Sequence, residues 1–145
     1  MGDFSDLPET RRRGLERMEE VYGFDMTDGT GDFFRYTADH LFADIWERPG
    51  LSDRDRRLLL IGLLTGTGGA DVLGIQVPAA HANGELDDRA LREIVIFLCH
   101  YAGWPHGARL NQVVEDTIAR AAKAARTAED AEDAEARGGA RTTED

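Results

Sequence analysis

The sequence predicts an all-α fold, a compact bundle of about six helices, and three observations carry that prediction. No stretch alternates apolar and polar residues with period two, so no strand is indicated. Apolar residues instead recur at spacings of three and four in segment after segment. Glycine and proline pairs or N-caps punctuate those segments, and no segment repeats at a fixed period.

Residues 1 to 9 form a polar, loose N-terminus. Pro8 and Glu9 open a first helix through ETRRRGLERMEEVYG, with Leu15, Met18, Val21 and Tyr22 on its apolar stripe and Gly23 as C-cap. The basic run Arg11 to Arg13 reads as a solvated first turn, with an anion site as the other possibility. The loop from Asp25 to Asp32 lacks the ligand order of a calcium-binding loop. A second helix is expected through FFRYTADHLFADIWERPG, its stripe passing through Phe33, Tyr36, His40 or Leu41, and Asp44 or Ile45. Phe33, Phe34, Phe42 and Trp46 make it heavily aromatic, for a core or a subunit contact.

Ser52 followed by Asp55 reads as a capping box, so a third helix starts at Asp53 and runs through the apolar block Leu58 to Leu64. Gly66, Gly68 and Gly69 end it. A fourth helical segment, 70–83, contains Gly74 and Pro78 four residues apart, which should kink it or make it restart. After a turn at Asn83-Gly84, a fifth helix starts near Leu86 to Arg89. Its centre, Ile94 to Cys99, is apolar on every side, which predicts a central or interface helix. Gly103 and Pro105 stop it. The last helix should run from about Gly107 to Arg120, with Leu110, Val113, Val114, Thr117 and Ile118 buried. Residues 121–145, an acidic alanine-rich tail, have little to bury and should be frayed or disordered.

The 145 residues suffice for one domain, placed at 10–120, and 41% hydrophobic content suffices for one core. A formal net charge of −11 argues against a nucleic-acid partner. The single cysteine, Cys99, forms no CxxC pair, and the N-terminus has no apolar export segment, so a cytoplasmic location is expected. The longest apolar run is too short for a membrane span. Histidines at 40, 81, 100 and 106 share no ligand spacing, so neither a metal nor a cofactor is expected.

Taken together, HLFADIWERPGLSDRDRRLLLIGLLTG, AHANGELDDRALREIVIFLCHYAGWPHGARLNQ and the opening RRRGLERMEEVYG resemble the carboxymuconolactone decarboxylase family over about residues 10 to 118. The anchors are Trp46, Arg48-Pro49-Gly50-Leu51, Arg56, Asn83-Gly84, Arg92-Glu93 and Tyr101-Ala102-Gly103-Trp104-Pro105. The resemblance implies an alkylhydroperoxidase-like helical subunit that assembles as a dimer, trimer or hexamer with pockets near subunit contacts. It also implies a small-molecule substrate and cofactor-independent lyase chemistry. The chain departs from the family at the centre of that chemistry. The decarboxylase branch carries a glutamate and, four residues on, a histidine; those places hold Val72 and Gln76, neither of which titrates. The peroxidase branch needs a CxxC pair in the same segment, which is absent.

Two readings follow. In one, the chain is a divergent enzyme acting on a small lactone, keto acid or aromatic or polyketide-type metabolite by isomerisation, lactone opening, dehydration, cyclisation or decarboxylation. His81 and His100 are then the proton carriers, His81 ranking first because it shares a helix with Gln76. His81 lies five residues past Gln76, roughly 140° round an ideal helix, so the Pro78 kink must bring it back. In the other reading the chain is a non-catalytic, ligand-binding or structural homo-oligomer. Either way Gln76 would orient the ligand, Val72, Trp46, Phe97, Tyr101 and Trp104 would supply contact area, and Arg56 would meet a carboxylate. Core packing for the aromatics, ion pairing for Arg56 and a backbone-bonded His100 are the alternatives for those residues.

Overall fold

A computed structural model describes residues 2–139. It contains six α-helices and no strand among the described residues: α1 (Glu9–Tyr22), α2 (Asp32–Arg35), α3 (Asp53–Thr67), α4 (Ala70–Ala82), α5 (Asp88–Ala102) and α6 (Trp104–Gly139). A π-helical segment, Tyr36–Phe42, continues α2, and a 3-10 turn, Ile45–Glu47, follows it. The helices bury two clusters of side chains. Leu15, Met18 and Val21 of α1 meet Phe4, Ala38, Phe42 and Trp46 in one. Ile61, Leu73, Val77, Leu91, Val95, Leu110 and Val114 of α3 to α6 make the other.

The helix ends follow local chemistry. Ser52 accepts from the Asp55 N–H at 3.1 Å while the Asp55 carboxylate accepts from the Ser52 N–H, so the capping box is complete. Gly68, at φ 79°, closes α3 by donating to the carbonyls of Leu64 and Thr65. Gly23, at φ 76°, closes α1 in the same way. Asp87 caps α5, and Pro105 sits in the first turn of α6, where its missing N–H costs nothing.

Four expectations are corrected. The 33–46 segment is not one regular helix, and its buried stripe is not the expected one: Phe33 is 89% exposed and Tyr36 59%, while Ala38, Phe42 and Trp46 are buried and Phe34 is partly so. Those residues recur at strict spacings of four, which an α-helix turns off one face by about 40° per step. Widening the turn to i→i+5, with the Ala43 N–H bonded to the Ala38 carbonyl at 3.0 Å, counters that drift.

Second, α4 runs unbroken through Pro78 and does not restart. The position four back is Gly74, where even an added Cβ would meet open space. Third, of the two placements expected for α5, central or interface, the central one does not hold: Leu91, Val95 and Cys99 are buried, whereas Ile96 is 56% and Phe97 61% exposed. Fourth, the bounds of the last helix differ from the expected 107–120: α6 runs Trp104–Gly139, and its side chains from 122 to 137 are exposed. Residues 140–145 of the expected tail lie outside the described residues.

The basic run of α1 stays at the surface, with Arg13 exposed, but its side chains have partners. Arg11 pairs with Asp28 and Asp39, Arg12 with Glu16, and Arg13 donates to the Ala43 carbonyl at 3.2 Å. Arg17, further along α1, pairs with Glu20, Glu47 and Asp53, which fixes the helix to the 3-10 turn and to the head of α3.

Candidate functional site

A polar cluster is buried among the helices. Arg57 projects from α3 on the same side as Ile61 and Thr65 and is fully buried. Its Nε donates to Glu85 Oε2 at 2.8 Å and its Nη2 to Glu85 Oε1 at 3.0 Å, a two-pronged pair. Nη2 also donates to the Val21 carbonyl at 2.6 Å, and Nη1 donates to Gln76 Oε1. One guanidinium thereby joins α1, α3, α4 and the turn before α5. A charge so far from water requires such partners, since a lone buried ion is strongly disfavoured.

Gln76 therefore has a defined orientation. It is 4% exposed and its carbonyl oxygen is committed to Arg57, so its NH2 group is the end left over. That NH2 makes no hydrogen bond among the described residues, and it is not among the fully enclosed unpaired atoms either. It is a donor with spare capacity. Val72, one turn earlier, is 42% exposed.

His81, near the C-terminus of α4, places Nε2 2.7 Å from Asp88 Oδ1 at the start of α5. A carboxylate can only accept, so this contact holds the proton on Nε2 and leaves Nδ1 as the basic nitrogen. His81 and Gln76 share α4 but not a hydrogen bond. His100 is exposed and its Nδ1 donates to the Ile96 carbonyl at 2.7 Å, the backbone contact considered from sequence. Its ring meets Trp104 edge-on at 6.1 Å.

The aromatic residues divide. Trp46 is buried, stacked on Phe42 at 5.8 Å, with the guanidinium carbons of Arg56 and Arg57 each 6.0 Å from its centroid. Phe97 and Tyr101 lie 4.9 Å apart and are exposed. Trp104 borders a groove of about 300 Å³ between α5 and α6, shared with Val95, Ile96, Cys99 and Asn111. Arg56 is half-buried and donates from Nη1 and Nη2 to the carbonyls of Leu51 and Arg48. It borders a larger open cleft of about 530 Å³ with Ile45, Arg48, Pro49, Gly50 and Leu51.

Gln76, Val72 and His81 thus stand on α4, and His100, Phe97, Tyr101 and Trp104 on and after α5, with no hydrogen bond, ring contact or cleft among the described residues that joins the first group to the second. Trp46 and Arg56 stand at the 45–56 loop. Sequence reasoning missed Arg57, Glu85 and Asp88. Arg57 left a trace: it falls four residues before Ile61 and eight before Thr65, on the buried stripe, where a cation demands a carboxylate. Asp88 left none, because its pairing with His81 depends on how α4 and α5 meet.

Comparison with known proteins places these features. Residues 31–116, more than half of the chain, match the model of the carboxymuconolactone decarboxylase family. A 4-carboxymuconolactone decarboxylase of Acinetobacter baylyi is 30% identical over 113 residues, covering 72% of this chain and 84% of the relative. A nitrosuccinic acid decarboxylase, npaB, of Metarhizium robertsii is 34% identical over 74 residues, 51% of each chain. The match takes in the helices that carry Arg57, Gln76, His81 and Asp88, and the chain belongs to the carboxymuconolactone decarboxylase family.

Proposed function

We propose that this chain is a divergent, cofactor-independent enzyme that moves a proton on a small lactone, keto acid or other carboxylic-acid metabolite, by lyase or isomerase chemistry. The observation that carries the reading is the His81–Asp88 contact of 2.7 Å on the helix that also holds Gln76. Asp88, 2.7 Å from Nε2, keeps the imidazole in the tautomer whose Nδ1 is free to accept a proton. Gln76, held by Arg57, lies roughly 140° round the same unbroken helix, so the proton transfer is assigned to His81 and not to a shared Gln76–His81 face. His100 is the second candidate, with Nε2 as its free nitrogen. The names of both relatives fit a carboxylic-acid substrate.

A second reading, binding without turnover, is favoured by Val72 and Gln76 themselves. Neither side chain titrates, and Gln76 is anchored as firmly as any core residue.

The purified protein is to be incubated in D2O with a panel of small lactone acids, keto acids and dicarboxylic acids, 4-carboxymuconolactone and nitrosuccinate included. Carbon dioxide release and deuterium uptake are then measured. The enzyme reading expects one or more panel members to react, with His81→Ala slowing the reaction about 10²- to 10⁴-fold in an otherwise intact protein. It expects no useful turnover of 4-carboxymuconolactone, because the relay positions hold Val72 and Gln76. Full activity in both His81→Ala and His100→Ala would refute the histidine assignment, and an inert panel would favour the binding reading.

A further inference from the structure

The turn that closes α4 carries a chemically labile pair. Of the two asparagines in the chain, Asn83 is followed by Gly84 and Asn111 by Gln112. A backbone nitrogen can attack the amide carbon of the asparagine before it, and glycine, with no Cβ, hinders that approach least. A Cβ added at Gly84 would meet only open space, so solvent reaches the bond. Asn111, by contrast, stands inside α6, where the helix fixes the backbone.

The fold holds both reacting ends of the pair. Asn83 Nδ2 donates to the Glu20 carbonyl at 2.8 Å and to Glu85 Oε1 at 3.4 Å, so this amide ties the end of α4 to α1. Gly84, at φ 70°, donates its N–H to the His81 carbonyl at 3.1 Å. The neighbouring N–H groups of Asn83 and Glu85 donate to the carbonyls of Ala79 and Ala80, each at 2.9 Å. The Gly84 nitrogen must give up its proton to attack, and here that proton is engaged. The amide carbon, for its part, is anchored to another helix.

We infer that Asn83-Gly84 is a deamidation site gated by the last turn of α4. When that turn opens, hydroxide takes the Gly84 N–H proton and the nitrogen bonds to Asn83 Cγ. The side-chain nitrogen leaves as ammonia, taking a proton from water and restoring the hydroxide. Water then opens the cyclic imide at one carbonyl or the other, leaving aspartate or isoaspartate, with one water consumed and one ammonia released overall. The product cannot remake the contact. Its carboxylate only accepts, and the Glu20 carbonyl and Glu85 carboxylate that the amide served are acceptors too. A negative charge at the C-terminal end of a helix is also disfavoured by the helix dipole. Each opening of the turn thus risks a permanent loss of this α1–α4 contact, whether or not His81 is catalytic.

The full chain is to be kept at mildly alkaline pH, once folded and once unfolded in urea, and the peptides holding Asn83 and Asn111 followed by mass spectrometry. In urea Asn83 should deamidate at least about tenfold faster than Asn111. In the folded protein it should react at least about tenfold more slowly than in urea, since only the open turn reacts. A second measurement compares Asn83→Ala and Asn83→Asp by urea unfolding at neutral pH. Loss of the donor should raise the unfolding constant of Asn83→Ala about threefold or more, and the added carboxylate should raise that of Asn83→Asp further. Equal rates for Asn83 in the folded and unfolded chain, a rate in urea no faster than that of Asn111, or an Asn83→Asp protein as stable as the original would each overturn the site.

Discussion

Arg57 is the residue on which the most structure depends. Its partners Glu85, Gln76 and the Val21 carbonyl come from three separate parts of the chain, and each loses its donor if the guanidinium goes. Removing one member of a buried ion pair strands the other, which typically costs about 3–5 kcal/mol. Arg57→Ala should lower the unfolding free energy by about that amount, measured by urea denaturation at fixed protein concentration. Glu85→Gln should do likewise, and the double variant should cost much less than the sum.

Tyr22 gives a second test at this scale. Burial raises its phenol above the ordinary tyrosine value of 10.0, and nearby Arg57 opposes that shift without cancelling it. The folded state therefore prefers the neutral phenol. Its contribution is fully present below pH 10 and is lost as the pH rises through the folded value, because the unfolded chain gives up the proton first. Stability measured across that range should fall for the original protein and fall less for Tyr22→Phe.

Among the elements, α6 poses a clear question of where order ends. Up to Thr117 and Ile118 it packs on the core; from 122 to 137 every side chain is exposed. A helix held only by its own backbone bonds is marginal, since most helical stability in proteins comes from packing of an apolar face. We propose that the tail frays in solution. Amides beyond residue 122 should exchange with solvent orders of magnitude faster than those of the packed part, and a chain ending at Ala122 should unfold within about 0.5 kcal/mol of the full one. Protection of the tail equal to that of the packed turns would mean that another surface covers it.

At the scale of the whole molecule, the exposed apolar side chains are the outstanding feature. Leu59 and Leu63 of α3, Val72 and Ile75 of α4, Ile96, Phe97 and Tyr101 of α5, and Trp104 of α6 are all between 37% and 78% exposed. Single exposed apolar residues are ordinary, but eight on four consecutive helices, Phe97 and Tyr101 with their rings 4.9 Å apart, is more than a small monomer usually leaves uncovered. We propose that copies of the chain associate through these residues. Light scattering at micromolar concentration should give a mass at least twice 16.0 kDa, and Phe97→Asp with Leu63→Asp should lower it. A stable monomer in the original protein would refute the assembly.

The sequence by itself determined the helical class and most helix ends, because capping boxes, left-handed glycines and apolar spacing act within a few residues of one another. It also singled out residues 45–56 and the pair Val72 and Gln76, since family motifs are read along the chain. Only tertiary structure decided which side of 33–46 is buried, since a widened turn repays its cost only when α1 packs against it. Gly14 lets α1 approach the Ala38 carbonyl there, a contact that a side chain would block. Tertiary structure likewise decided that Gln76 belongs to Arg57 and His81 to Asp88. Both pairings span helices, and the direction in which a polar side chain finds its partner is fixed by the packing of the apolar residues around it.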